Sequence, residues 1–118
     1  MRSENNGDLV KKAIWLSYDL GVKGDYDALY AYLDNQGAVE CGDSIAFFHV
    51  EFSGSDQELE RKIRDDIKST VQLSKTDRIY IIYRREDKKV GGKFIAGKRK
   101  ASPWQGFGQQ GESEDDGL

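Results

Sequence analysis

A chain of 118 residues with a formal charge of −3 and one cysteine has room for one domain and no internal disulfide. No hydrophobic run approaches the length of a signal-peptide core or a membrane span, so the expectation is a reduced, cytoplasmic protein with no membrane partner. The mostly polar ends, 1–12 and 108–118, read as disordered tails around a single domain at 13–107. Glu112, Glu114, Asp115 and Asp116 make the C-terminal tail acidic, and without these four the chain would carry +1.

The first element is "AIWLSYDL", 13–20, apolar at nearly every position except Ser17 and Asp19, as an interior strand is. A helix follows from Asp25, whose carboxylate suits its N-terminus; Tyr26, Leu29, Tyr30 and Leu33 recur at helical spacing, and Gly37 supplies a stop. "AVECGDSIAFFHVEF" reads as two strands joined at Gly42 and Asp43. In the second of these, Ala46, Phe48, Val50 and Phe52 share one face, and Ile45, Phe47, His49 and Glu51 share the other. Ser55 with Glu58 three residues on is a capping-box pattern, opening a helix whose Leu59, Ile63, Ile67 and Val71 form an apolar stripe. "RIYIIYR", 78–84, is rich in β-branched and aromatic residues, and "KFIAG" is a short strand after a charged turn. The order β-α-β-β-α-β plus a short C-terminal strand is that of a ferredoxin-like split βαβ fold. It belongs to the α+β class, an antiparallel sheet with both helices on one face. The other face needs a cover, and a second subunit would provide one.

The charged turn opens the most informative segment. Arg84, Arg85, Lys88, Lys89, Lys93, Lys98, Arg99 and Lys100 stand against only Glu86 and Asp87, a local +6, with Trp104 and Phe107 close behind. Cations mixed with aromatics suit phosphate contact and base stacking, so RNA or DNA is the expected ligand. The plain alternative is a solvated hairpin with a packed terminal aromatic. No phosphate-binding glycine loop, zinc-ligand spacing or nucleophile elbow occurs. His49 is the one residue with an ordinary neutral-range base, and a lone strand histidine is more often a surface or structural group. Cys41 has no partner at metal spacing and reads as a small packing residue.

A strand ending in "SYDL", a tyrosine-rich helix, a hairpin, a charged helix and the strand "DRIYIIYR" together resemble a known superfamily. It contains the small CRISPR adaptation protein, the virulence-associated protein D ribonucleases and a SinR-annotated branch, where a segment like "SPWQGF" follows the last strand. The resemblance spans roughly residues 13–107 and implies a homodimer. It also implies that the aspartate ending the first strand, here Asp19, meets its symmetry mate near a two-fold axis and holds Mg²⁺. On that reading Asp19 is the metal ligand and catalytic residue of a metal-dependent endoribonuclease. Read from the residues alone, Asp19 ends a strand and bonds the amides of the Gly21–Gly24 loop. The leading expectation is thus a dimeric nucleic-acid-binding protein of the ribonuclease type. The alternative is a non-catalytic dimeric scaffold, or a toxin–antitoxin-type module, that binds a protein partner.

Overall fold

A computed structural model describes residues 9–109. Its elements are β1 (Val10–Asp19), α1 (Tyr26–Asn35), β2 (Val39–Glu40), β3 (Ile45–Phe52), α2 (Asp56–Lys68), β4 (Arg78–Arg84) and β5 (Val90–Ala96), with a short 3₁₀ turn at Phe107–Gln109. The strands form one antiparallel sheet in the order β2-β3-β1-β4-β5. This is the ferredoxin-like α+β arrangement, with β1 central and β5 added outside β4. β5 pairs with β4 of its own chain as a hairpin.

Period-two alternation sends one residue set of each strand to the helices. Ile14, Leu16, Phe48, Val50, Ile79, Ile81 and Tyr83 pack in one core with Leu29 and Leu33 of α1 and Leu59, Ile63 and Ile67 of α2. Both helices therefore cover the same face. In α1 the aromatic residue that turns inward is Tyr32, edge-on to Phe48 at 6.2 Å, while Tyr30 stays half exposed. Leu29, Tyr32 and Leu33 satisfy the same helical spacing that Tyr30 satisfies, so periodicity could not choose between the two tyrosines. The capping box of α2 is complete: Glu58 N–H donates to Ser55 Oγ at 3.1 Å, and Ser55 N–H donates to Glu58 Oε1 at 2.8 Å.

Three sequence expectations are corrected. β1 begins at Val10, so residues 10–12, read as tail, belong to the sheet. β5 is seven residues long, because Gly91 and Gly92 continue the strand rather than the turn. Cys41 is exposed, since β2 is a two-residue edge strand with nothing packed over its end. Residues 1–8 and 110–118 lie outside the described residues, as does the acidic C-terminal segment. Among the described residues, no helix is long and apolar enough to cross a membrane.

The loops at the C-terminal end of β1 are held by two carboxylates. Asp77 is 1% exposed; its Oδ1 accepts Gly21 N–H at 2.8 Å and its Oδ2 accepts Ser74 N–H at 2.8 Å. Asp25 accepts Ala28 N–H at 3.4 Å, capping α1, and Gln72 N–H at 2.9 Å. Burial opposes ionisation of Asp77, but the amide hydrogen bonds from Gly21 and Ser74 outweigh it and keep the carboxyl below its usual range. A lowered folded-state value stabilises the fold above about pH 4, and that contribution is lost as pH falls through the lowered value. Asp77→Ala should cost about 2 kcal/mol in urea unfolding at neutral pH, since two partly buried amides lose their acceptor. Its stability should also fall less steeply on acidification than that of the parent. Asp77→Asn, which keeps one acceptor, should lose less.

Candidate functional site

The sheet face turned away from the helices is built from the alternate residues of the same strands. Asp19, Ser17, Trp15, Ala13 and Lys11 come from β1, and Ile45, Phe47, His49 and Glu51 from β3. Arg78, Tyr80, Ile82 and Arg84 come from β4, with Phe94, Gly92 and Val90 opposite the last three on β5. Trp15, Ile45 and Ile82 are 41%, 39% and 37% exposed, high for large apolar residues on interior strands. Trp15 and Phe47 are directly paired with ring centroids 4.8 Å apart, and His49 lies 5.0 Å from Phe47. Across β1, Tyr80 and Phe94 meet edge to face at 4.6 Å.

Glycine makes this second pair possible. A Cβ at Gly92 would collide with the Tyr80 phenol, so the ring lies across the backbone of β5 only because that position has no side chain. A β-bulge between Ile79 and Tyr80 then leaves Ile95 unpaired and buried while Phe94 stays on the open face. Directly after β5, Gly97 adopts φ +76°, and a Cβ there would come within 2.6 Å of the Asp77 carbonyl. The chain turns at this glycine and carries Arg99 over both rings, 5.6 Å from the centroid of Tyr80 and 5.4 Å from that of Phe94.

Arg78 reaches the same place from β4, 5.8 Å from the Phe94 centroid. Its Nη2 lies 3.6 Å from Asp19 Oδ2, and its Nη1 donates to the Lys98 carbonyl at 3.4 Å. Ser17, Asp19, Arg78, Tyr80, Phe94 and Arg99 line one hollow at this end of the sheet. Asp19 thus sits in a cationic, aromatic setting. Its carboxylate turns to Arg78, and the Gly21 amide expected to bond it goes to Asp77 instead.

The basic segment divides in two. Arg84, Arg85 and Lys88 line a second hollow with Lys11 and Lys12, at the far end of the β4–β5 hairpin. There Arg85 faces Asp56 at 3.9 Å, and Lys89 belongs to the same turn, its N–H donating to Asp87. Lys98, Arg99 and Lys100 lie at the Arg78 end. From Arg78 to Arg84 is six strand steps, about 20 Å. Lys93 pairs with core-facing Ile81, which places it on the helix side of the edge strand and off the open face. Trp104 is 72% exposed in a turn beyond β5. The sequence reading missed Trp15, Phe47, Arg78, Tyr80 and Phe94; the available signal was an arginine or aromatic residue on the outward alternation of β1, β3, β4 and β5.

Among the described residues, no group of three or more His, Cys, Asp or Glu side chains is arranged to hold a metal ion. One chain brings a single carboxylate, Asp19, to the hollow, and a guanidinium already faces it. Mg²⁺ is commonly held by one or two carboxylates and water, and among the described residues the hollow offers Asp19 alone. On the helix side of β1, Tyr18 meets Tyr30 and Tyr26 at 6.1 and 6.3 Å. Burial, then hydrogen bonding with Tyr30, pushes Tyr18 up to about 12, so its phenol stays protonated at neutral pH and offers no base.

Fold and site together define a ferredoxin-like domain with an open aromatic sheet face bordered by cations. No family model, curated protein or solved structure matches the chain. Gly97→Ala should destabilise the domain by roughly 1–2 kcal/mol from backbone conformation alone, with the carbonyl clash added. It should also draw Arg99 off the rings. The upfield shifts that Tyr80 and Phe94 impose on the Arg99 side-chain resonances would then disappear from the NMR spectrum.

Proposed function

We propose that this protein binds nucleic acid through the open face of its sheet. The observation that carries this reading is Arg99 lying over the Tyr80–Phe94 pair and Arg78 over Phe94, beside the Trp15–Phe47 pair in which Trp15 is exposed. Guanidinium groups offer several fixed N–H donors to phosphate oxygens, while aromatic faces accept any base. Binding should fall steeply with salt as counterions are released. Replacing Lys98, Arg99 and Lys100 together by alanine should flatten the plot of log affinity against log salt by about 2–3 units, at 0.7–0.9 per phosphate contact. Fluorescence anisotropy with labelled RNA and DNA over a salt series measures this. No binding at low salt would remove the reading.

A second reading, self-association or a protein partner on the same face, is supported by the exposure of Trp15, Ile45 and Ile82. Metal-dependent cleavage is the narrower form of the dimeric reading. It requires a second copy to bring another Asp19 to the first, because the site the resemblance implies uses that aspartate from both subunits. The two roles of Asp19 give different results for Asp19→Asn. If Asp19 serves only to aim Arg78, removing its charge should weaken binding a few-fold. Stability should change by under about 0.5 kcal/mol, since the Asp19 side chain is 64% exposed. If it is the catalytic ligand, the same variant should abolish Mg²⁺-stimulated cleavage of RNA by a dimer seen in sedimentation.

A further inference from the structure

The open face is too aromatic at its centre to serve only as a phosphate rail. We infer that its ligand is a single-stranded nucleic acid whose bases stack on Trp15–Phe47 and on Tyr80–Phe94, Arg99 swinging from over those rings to hold the phosphates with Arg78. This rests on the nucleic-acid reading above and narrows it.

Four observations converge on a single strand. First, Trp15 is 41% exposed on the central strand, where an apolar residue would ordinarily be covered, and Phe47, Tyr80 and Phe94 beside it are half-buried on the same open face. A duplex keeps its base faces inside its own stack and presents phosphates and groove edges, so a ring on a sheet has nothing in it to stack on. An unpaired strand offers free base faces, and stacking on them tolerates any sequence.

Second, the cations flank the rings along the strand direction. Arg78 and Arg99 stand at one end, and Lys11 and Arg84 share the open face at the other, about 20 Å away. That span suits about four nucleotides, the low end for a single small β domain. Third, Gly92 keeps Tyr80 laid across β5, where a side chain would lift it. The half-buried Tyr80 ring lies on the face away from the helices, so laying it flat over Gly92 adds nothing to the core but gives a stacking partner a flat seat.

Fourth, charge separates this occupant from a second copy of the chain. The buried centre of a subunit interface is poor in charged residues. Here Arg99 lies over the rings themselves, and Arg78 and Asp19 adjoin them. A self-complementary interface would have to bury those guanidinium groups at a desolvation cost, with Asp19 and Glu51 of the same face the carboxylates a second copy brings. A strand of nucleic acid brings the anions with it.

The test compares one sequence as single-stranded RNA, single-stranded DNA and the two matching duplexes, bound to the full chain and followed by anisotropy. The single strands should bind at least tenfold more tightly than the duplexes. Trp15→Ala and Tyr80→Ala should each weaken single-strand binding about tenfold, with the salt slope unchanged because no cation is lost. Trp15→Phe, which keeps a ring, should retain most of the affinity, and circular dichroism would establish that each variant folds. In a Trp104→Phe background, the fluorescence of Trp15 should be quenched on titration with the single strand. Duplex bound as tightly as single strand, or ring variants that bind as the parent does, would overturn the inference and leave nucleic-acid binding standing. No binding of any of the four ligands would remove both. Self-association abolished by the same ring substitutions would then assign the face to a second copy.

Discussion

Everything at the Arg78 end depends on one buried carboxylate. Asp77 takes an amide from the loop after β1 and another from the loop before β4, closing both with the same side chain. These two strands are far apart in sequence, and their pairing costs loop entropy that local contacts must offset. Fixing Gly21 and Ser74 beside each other leaves β1 and β4 adjacent, with Asp19 opposite Arg78. Asp25 repeats the device one layer up, capping α1 and holding Gln72. The Asp77 carbonyl also sets the limit that only glycine meets at position 97. One residue thus governs the strand register and the turn that returns Arg99 to the sheet.

The two sheet faces were unequally legible in the sequence. In β3, strict alternation separates Ala46, Phe48 and Val50 from Ile45, Phe47 and His49, so its core face could be read directly. In β1 the run from Ala13 to Leu16 is apolar at every position, and such a run conceals which residues face the helices. Nothing in that run therefore singled out Trp15, which lies on the open face. The Tyr80–Phe94 pair depends on a bulge and on a ring lying over Gly92, neither of which has a local pattern. The eight basic residues look continuous along the chain. A hairpin folds such a segment back, and here it sends Arg84, Arg85, Lys88 and Lys89 to one end, Lys98, Arg99 and Lys100 to the other, and Lys93 to the opposite side. Charge content was readable, whereas charge placement required the turn.

Asp19 was singled out from the sequence as a possible metal ligand, and the geometry gives it a further role. Arg78 is held on two sides: Nη2 faces the Asp19 carboxylate and Nη1 donates to the Lys98 carbonyl. A long side chain fixed in this way has already lost much of its rotamer freedom, so a ligand does not have to pay for ordering it. The same carboxylate repels an incoming phosphate. Which effect prevails depends on distance and solvent: Asp19 is 64% exposed, so water screens its repulsion, while the positioning of Arg78 is a contact effect that water weakens less. An aspartate in a cationic hollow is thus consistent with a binding surface. It aims a guanidinium that would otherwise sample many directions above the rings.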